Sequence, residues 1–345
     1  MKNLKTLIIK NGCFSKCPKN LPNSLRVLEW WRYPSEWLPN DFQPKKLSIL
    51  KLLNNLYLAH KLDSLSKMLI SLKVLKFDYS DSLKKIPDVS NLQLLEEFSC
   101  VRCSNLVSVD SSVGFLPKLK ILDTAFCFEL RSFPPVINLP SLEELVLLGC
   151  LSLEKFPEIL EEMENLKELY LWCTGIKDLP SSFCNLSRLR RLTLNANEMH
   201  RIPSVICMMP SLDFCDIELG GNKGRVSGEQ EEGLHGILTH SLPSSHMRRL
   251  YVRDSNLSDD FFPLAVAWFP NVISLVLGGN NFTVLPECIQ QFRFLKELLV
   301  NDCKHLREIR GIPPCLTNFS AVNCKSLSER GTSVLLNQVS LLFNN

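Results

Sequence analysis

The sequence has almost no net charge and no long apolar run. Thirty-nine Lys and Arg residues stand against 36 Asp and Glu residues, which leaves a net charge of +3 over 345 residues. This balance gives no electrostatic reason to expect binding to nucleic acid or to an anionic membrane surface. No stretch reaches the roughly 18 consecutive apolar residues that suggest a membrane-spanning helix. The opening MKNLKTLIIKNGCF lacks a small-residue cleavage site, so no secretory signal peptide is predicted.

Signatures of catalysis are also absent. The sequence contains no GxxxxGK[ST] phosphate loop, no GxSxG elbow, no HExxH zinc motif and no Rossmann fingerprint. Acidic pairs such as Glu143-Glu144 and Glu161-Glu162 fall at positions that the repeat described below assigns to solvent or loops. We therefore expect no enzymatic activity, no cofactor and no metal ion.

What the sequence does contain is a repeat with the pattern L-x-x-L-x-L. Successive copies start 21 to 25 residues apart, with one longer step of 35, and spacings of 20 to 29 are typical of leucine-rich repeats. The copies begin at Leu4, Leu25, Leu47, Leu72, Leu95, Leu119, Leu142, Leu166, Leu189, Leu212, Met247, Val272, Leu295 and Leu316.

The pattern also predicts the local structure of each copy. Alternation of apolar and outward residues, as at Leu145 and Leu147, is what a short strand requires. A single turn cannot bury its own leucines, whereas stacked turns can. We therefore predict an α/β repeat fold: a leucine-rich repeat solenoid of about 14 repeats. It should be curved, with a parallel sheet on the concave face and irregular or 3₁₀ return segments.

The 14 cysteines could be metal ligands, disulfide partners or structural residues. Without a secretory signal we expect free thiols in a reducing compartment. Several of them occupy the ninth position of a repeat, where the strand turns away. A side chain there can point inward and bond loop backbone, which would form a ladder along the array. The ladder position is held by Ser80, Cys103, Cys127, Cys150, Thr174, Asn197, Ser255, Asn280, Cys303 and Cys324.

Two metal-like patterns are better explained by the repeat. Cys100 and Cys103 form a CxxC, but Cys100 is in register with the strand core position of Leu147, and no second CxxC accompanies it. His235, His240 and His246 match no metal-binding spacing and lie in the irregular stretch, so a solvated loop is favoured.

The repeat pattern also suggests domain bounds. We predict a solenoid over residues 1–330 with a loop insertion at about 219–246, rich in Gly, Ser and charge. This insertion is either a tolerated surface loop, which we favour, or a contact loop. Neither end has the polar cap of a free solenoid, so we expect the chain to be the middle of a longer protein or to need a partner at its ends. Residues 331–345 are expected to form a separate tail, in which a new apolar segment starts.

The outward strand positions include large side chains suited to protein binding. Exposed aromatic residues and Arg supply large contact area at low entropic cost. We predict a partner-binding face on the concave side formed by Trp31, Tyr79, Phe126, Tyr170, Trp172, Phe214, Tyr251 and Arg253. For any one of them, packing on a return segment or a neighbouring domain is an equal alternative.

Several phrases resemble one family. LPNSLRVLEWWRYPSEWLP, LKVLKFDYSDSLKKIPDVSNL, LEELVLLGCLSLEKFPEIL and LKELYLWCTGIKDLPSSF are similar to the leucine-rich repeats of plant disease-resistance proteins of the TIR–nucleotide-binding–LRR type. The resemblance covers essentially the whole chain and implies sensing of pathogen effectors or guarded host proteins, with autoinhibition of the parent receptor. It implies as partners those proteins and the receptor's own TIR and nucleotide-binding domains, in the cytoplasm or the nucleus. Those two domains have no counterpart in this sequence. The closing AVNCKSLSERGTSVLLNQ resembles the junction at which the family's post-LRR domain begins, which implies that residues 331–345 are the truncated start of that domain.

Two rival functions remain open. The substrate receptor of a ubiquitin ligase also uses cysteine at the ladder position, but its repeats continue into Ile-Thr-Asp and a helix, whereas these continue into Phe-Pro or Ile-Pro. The ectodomain of a plant surface receptor would carry Gly-x-Ile-Pro phrases and a signal peptide, and neither is present. A recognition module of an intracellular immune receptor is the favoured hypothesis.

Overall fold

The chain forms two compact units, Met1–Leu189 and Arg190–Asn345. The computed structural model describes residues 3–12, 14, 16–36, 38–39, 41–57, 69–196, 204–207, 209–219, 246–328 and 330–332. No helix within these ranges is long and apolar enough to cross a membrane.

The described part of the first unit contains twelve strands. They are β1 (Thr6–Ile9), β2 (Val27–Trp31), β3 (Ile49–Leu53), β4 (Val74–Lys76), β5 (Lys85–Ile86), β6 (Glu97–Ser99), β7 (Ser108–Val109), β8 (Ile121–Asp123), β9 (Val136–Ile137), β10 (Glu144–Val146), β11 (Glu158–Ile159) and β12 (Glu168–Thr174). Eight of them, β1, β2, β3, β4, β6, β8, β10 and β12, pair in parallel in that order. The short strands of the return segments pair separately, β5 with β7 and β9 with β11.

The second unit follows the same plan. Within its described residues, the strands are β13 (Arg191–Ala196), β14 (Phe214–Leu219), β15 (Arg249–Arg253), β16 (Ser274–Val276), β17 (Val284–Leu285), β18 (Glu297–Leu299), β19 (Glu308–Ile309) and β20 (Asn318–Ser320). Six of them pair in parallel in the order β13, β14, β15, β16, β18 and β20. β17 and β19 pair in the return segments. The predicted solenoid of about 14 repeats is confirmed, since each repeat contributes one such sheet strand.

The register of the sheet stacks equivalent leucines on one another. Leu122, Leu145 and Leu169 are direct partners in neighbouring strands, and all are buried. Burying a leucine contributes roughly 1.5–3 kcal/mol, so a row of such residues stabilises each unit through its neighbours. The side chains between them point to the open face of the sheet, where Glu144 and Tyr170 are only partly buried.

Most return segments are short, as predicted, but two of those described contain α-helix. Five-residue 3₁₀ helices span Ser111–Phe115, Ser181–Asn185 and Glu287–Gln291, and a shorter one spans Arg330–Thr332. A single α-helical turn, α1, spans Ser204–Cys207, and α2 spans Phe261–Trp268.

The prediction of irregular or 3₁₀ returns is therefore wrong for residues 261–268. Pro263 is tolerated in α2 because it lies in the first turn, where a backbone N–H has no helical partner. Phe262 is buried on the inner side of the helix, with its ring 5.0 Å from that of Phe282. This apolar segment has more side chains to bury than the other returns, and the helix directs them inward.

The bounds of the insertion and of the tail stay predictions. Residues 220–245 of the predicted insertion and 333–345 of the predicted tail lie outside the described residues.

Candidate recognition surface

The thiols at the ninth position make the same contact in five repeats. Each Sγ donates to the main-chain oxygen of the sixth residue of the preceding repeat, as when Cys150 donates to Thr124 at 3.2 Å. The same contact joins Cys103 to Phe77, Cys127 to Cys100, Cys303 to Leu277, and Cys324 to Val300, at 3.0 to 3.3 Å. The strand of one repeat is thereby tied to the turn of the next.

Other residues at the ladder position bond in related ways. Asn280 donates to the oxygens of Val252 and Leu277, both at 2.8 Å, while its own oxygen accepts from two backbone N–H groups of the preceding repeat. Ser80 reaches Leu52 at 3.5 Å.

At two further ladder positions the side-chain hydroxyl donates to a backbone oxygen of its own repeat. Thr174 donates to Leu171 at 3.1 Å, and Ser255 donates to Arg253 at 2.6 Å. Asn197 lies outside the described residues. The five cysteines, Ser80 and Asn280 each donate from the side chain to a backbone oxygen of the preceding repeat.

The environment of the ladder thiols keeps them protonated. Burial raises the pKa of Cys150 and of Cys303 to about 12. A hydrogen bond with Cys100 raises the pKa of Cys103, and one with Cys103 raises the pKa of Cys127. A protonated thiol is a donor, whereas a thiolate is the metal ligand and nucleophile. Among the described residues, no group of three or more His, Cys, Asp or Glu side chains is placed to hold a metal ion.

The residue just before the ladder position has a left-handed backbone in twelve repeats. In nine of them its N–H donates to the backbone oxygen of the seventh residue of the next repeat, as from Phe126 to Leu148 and from Arg102 to Ala125. Gly, Asn and Asp adopt this conformation most readily. The twelve residues, with φ from 47° to 75°, are Asn11, Arg32, Asn54, Tyr79, Arg102, Phe126, Gly149, Cys173, Asp254, Gly279, Asp302 and Asn323.

Three consecutive repeats of the first unit place large side chains at this strained position. The guanidinium of Arg102 lies between two rings, with its Cζ 5.9 Å from the centroid of Tyr79 and 5.2 Å from that of Phe126. Tyr79 is 46% exposed, and the ring of Phe126 also contacts Phe128 edge-on at 6.4 Å. Gly149 holds the same position in the next repeat, where a Cβ would approach Phe126 Cδ1 to 2.8 Å. We call Tyr79, Arg102 and Phe126 the aromatic–arginine column.

Trp31 lies on the same open face of the sheet, at the end of β2. It is partly buried, and its Nε1 donates to Glu29 Oε1 at 3.2 Å. Lys10 and Lys51 also contact Glu29, at 3.0 and 3.8 Å. Burial opposes ionisation, yet the hydrogen bonds from Lys10 and Trp31 hold the pKa of Glu29 below its ordinary value. Trp31 is thus anchored within a charged cluster.

Tyr170 and Trp172 both belong to β12 and are partly buried. The hydroxyl of Tyr170 donates to Glu168, two residues earlier on the same face. That bond occupies its polar tip and leaves the ring as contact surface.

The last three predicted residues, Phe214, Tyr251 and Arg253, lie on neighbouring strands of the second unit. The ring of Phe214 contacts Tyr251 edge-on at 5.3 Å. The Nη2 of Arg253 lies 2.9 Å from both carboxylate oxygens of Asp216. Burial raises the pKa of Asp216 in spite of this contact. Arg253 is therefore engaged within the protein, whereas Phe214 and Tyr251 form an aromatic pair.

Sequence reasoning missed three arginines that complete these clusters. Arg102 could have been found because it shares the eighth position with Tyr79 and Phe126. Arg191 and Arg249 share the third position with Phe214 in adjacent strands.

The chain is similar in sequence to known leucine-rich repeat proteins. A family model described as "Disease resistance protein RPS4B-like, leucine-rich repeats" matches residues 138–340, more than half of the chain. The chain belongs to this family. The resemblance to plant disease-resistance repeats is therefore confirmed, and the chain is a leucine-rich repeat region of that kind. Repeats of this kind are generally non-catalytic modules for protein–protein interaction.

Curated relatives include proteins of Arabidopsis thaliana and of Nicotiana glutinosa. The chain is 40% identical over 142 residues to the protein SUPPRESSOR OF npr1-1, CONSTITUTIVE 1 of Arabidopsis thaliana, covering 40% of this chain and 10% of that protein. It is 34% identical over 139 residues to the TMV resistance protein N of Nicotiana glutinosa, covering 39% of this chain and 12% of that protein. The matched part spans about a tenth of the length of these relatives.

A solved structure supports the fold. The functional domain of InlJ from Listeria monocytogenes, described as including a cysteine ladder, aligns with a TM-score of 0.56 and 16% identity. The alignment covers 89% of this chain and 62% of that chain.

Proposed function

We propose that this chain is the non-catalytic recognition module of a plant disease-resistance receptor. Its sheet face contacts a pathogen effector or a guarded host protein. In the resting receptor the same repeats contact the TIR and nucleotide-binding domains and hold them inactive. The site of action is the cytoplasm or the nucleus, and the partner is protein rather than nucleic acid or membrane.

The aromatic–arginine column is the observation that supports this proposal most strongly. A guanidinium between two rings loses little freedom on binding, because its plane is already fixed. Its N–H edge stays available for a carboxylate or carbonyl of a partner, while the rings supply apolar area. Arg, Tyr and Trp are the residue types that dominate binding energy at protein interfaces.

Backbone strain supports the same conclusion. A left-handed conformation costs a residue other than glycine on the order of 1 kcal/mol. Asn, Asp or Gly holds that position in seven of the nine other repeats, including Asn54, Gly149 and Asp302, and Arg32 and Cys173 hold it in the remaining two. Tyr79, Arg102 and Phe126 occupy it in three repeats running, although each costs stability there. We therefore infer that these three side chains are present because they contact a partner protein.

The remaining predicted residues extend this face. Trp31 and Trp172 share the seventh position of their repeats, and Tyr170 lies on the same face as Trp172. Each offers a partly buried ring held by its own repeat, a form of side chain that gains affinity without much ordering on binding.

Proximity labelling in infected leaf tissue tests the proposal. The chain, within its parent receptor, is fused to a biotin ligase and compared with a Tyr79→Ala/Phe126→Ala variant and with Phe294→Ala. Phe294 is 52% exposed and lies outside the column, so it is a matched control. We expect a defined protein to be labelled by the wild type and by Phe294→Ala, and at least tenfold less by the double variant. Equal labelling by all three, with folding intact, contradicts the proposal for this face.

A further inference from the structure

We propose that the starts of three adjacent strands in the second unit form a binding site for an acidic peptide segment of a partner protein. This inference rests on the proposed role in protein recognition and adds the chemical class of one partner. We call the site the arginine cluster. It consists of Arg190, Arg191, Asp213, Phe214, Arg248 and Arg249.

The sheet register brings these residues together. Arg190–Arg191, Asp213–Phe214 and Arg248–Arg249 each form the second and third positions of a repeat. The backbone oxygen of Arg190 accepts from the N–H groups of Asp213 and Phe214, both at 2.9 Å. The oxygen of Asp213 accepts from Arg248 and Arg249 at 2.9 and 3.0 Å. Four guanidiniums and one carboxylate therefore occupy the same end of three strands.

The two inner arginines are held by an aromatic ring. The Cζ atoms of Arg191 and Arg249 lie 5.1 and 5.6 Å from the centroid of Phe214. Such stacking fixes the guanidinium plane and leaves its N–H edge free to bind a carboxylate in a bidentate manner. The guanidiniums of Arg191 and Arg249 are thus preorganised by Phe214 to bind an anionic partner.

The positive charge of the cluster is only weakly neutralised. Arg191 has no carboxylate partner among the described residues. Arg249 approaches Asp213 at 3.8 Å, with both side chains almost half exposed, a contact that solvent largely screens. Arg190 and Arg248 are exposed. These guanidiniums can therefore bind the carboxylates of a partner without first breaking a strong ion pair within the protein.

A peptide fits this surface better than a nucleic acid does. Asp213 lies directly before the middle strand, β14, and Asp216 and Glu218 lie within it. These three carboxylates would repel a continuous row of phosphates. Separated carboxylates of an extended acidic peptide can reach the arginines and avoid those three. The Phe214–Tyr251 pair adds apolar area beside the charges.

Fluorescence anisotropy with the full chain tests this site. The probes are a fluorescein-labelled peptide of alternating Glu and Gly, its Gln–Gly analogue, and a single-stranded RNA oligonucleotide. The variant is Arg191→Gln/Arg249→Gln, and Arg310→Gln is the control because Arg310 is an exposed arginine of the same unit that pairs with Glu308 instead. Melting curves verify that each variant is folded.

We expect the Glu peptide to bind at least tenfold more tightly than the Gln peptide at low salt. The double variant should lose about ten- to a hundredfold in affinity, while the control loses less than twofold. Arg191→Lys/Arg249→Lys should fall between them, because lysine keeps the charge but not the fork.

Three results would overturn the site. They are equal affinity for the Glu and Gln peptides, equal affinity of wild type and double variant, and tighter binding of the RNA. A rise in peptide affinity on changing Glu229, Glu231 and Glu232 to Gln would also overturn it, because the occupant would then be the chain itself. Failure here with success of the proximity experiment would leave the recognition role in place and remove only this partner class.

Discussion

The thiol of Cys150 donates to the main-chain oxygen of Thr124, 3.2 Å away in the preceding repeat. Cys127 makes the equivalent bond to Cys100 at 3.0 Å. Because each bond joins one repeat to the next, the ladder adds to the nearest-neighbour coupling on which a repeat array depends. Cysteine at this position is a small, buried residue with one hydrogen-bond donor.

Removing one ladder thiol should destabilise the fold. Cys150→Ala leaves the oxygen of Thr124 without this donor and creates a small void. We expect a loss of about 1–2 kcal/mol in the free energy of unfolding, measured by urea denaturation. Cys184→Ala, at an exposed position, is the control and should change stability by less than about 0.5 kcal/mol. Equal stability of both variants would show that the bond contributes nothing.

The ladder thiols should react only when the protein is denatured or at high pH. Burial raises the pKa of Cys150 and Cys303 from 9.0 to about 12, so neither forms a thiolate at pH 8. Iodoacetamide labelling followed by mass spectrometry should modify Cys184 and Cys315, which are exposed, and spare the ladder residues. Fast modification of Cys150 in the folded protein would contradict its placement.

The same shift makes stability fall with rising pH. Above the unfolded pKa of 9.0 the unfolded chain has lost protons that the folded chain retains up to about 12. The contribution of each such thiol is therefore complete below pH 9 and lost progressively towards pH 12. Thermal melting between pH 8 and 10.5 should show a declining Tm, and the decline should be smaller in a variant with Cys150 and Cys303 changed to Ser. An equal decline in both would assign it to other groups.

Gly149 should be difficult to replace because of Phe126. An added Cβ would lie 2.8 Å from Phe126 Cδ1, and φ at this residue is +75°. Gly149→Ala should cost about 1–3 kcal/mol in unfolding free energy. Asparagine adopts the left-handed backbone more readily than alanine does. The loss of unfolding free energy in Gly149→Asn should therefore come mainly from the clash with Phe126.

The double variant Phe126→Ala/Gly149→Ala separates the two causes. Removing the ring relieves the clash but not the backbone strain, so the two changes should be non-additive by about 1 kcal/mol. Additive effects would mean that Phe126 and Gly149 do not contact each other.

Features of the fold and of the candidate surface could be predicted from the sequence where the repeat spacing alone sets which residues meet. Contacts between particular side chains of different repeats could not. The strands and the ladder followed from the leucine register, because a fixed spacing sets which residues stack. The left-handed eighth position did not, since Tyr79, Arg102 and Phe126 hide a turn that Gly or Asn would signal. Helix α2 was missed because the return segments of all repeats were expected to be irregular or 3₁₀. The candidate binding residues were found only singly, because their arginine neighbours lie in other repeats.

Glu144, on the sheet face of the first unit, should lower the free energy of unfolding in a pH-dependent way. Burial, and then the charges of Glu168 and Asp123, raise the pKa of Glu144 above its ordinary value of 4.5. Because the folded pKa is the higher one, the ionised form is disfavoured on folding, and the cost is present at pH 7 and absent well below pH 4.5. Glu144→Gln should therefore raise the free energy of unfolding at pH 7.

The size of this effect should be modest, since the side chain is largely solvated. We expect a gain of a few tenths of a kcal/mol at pH 7 that disappears at pH 3.5, measured by urea denaturation at both values. Glu143→Gln is the matched control, because Glu143 is the neighbouring carboxylate in sequence and is exposed, so its replacement should leave stability unchanged. A loss of stability in Glu144→Gln at pH 7 would show that this carboxylate has a cationic partner, and would exclude repulsion as the dominant interaction on this face.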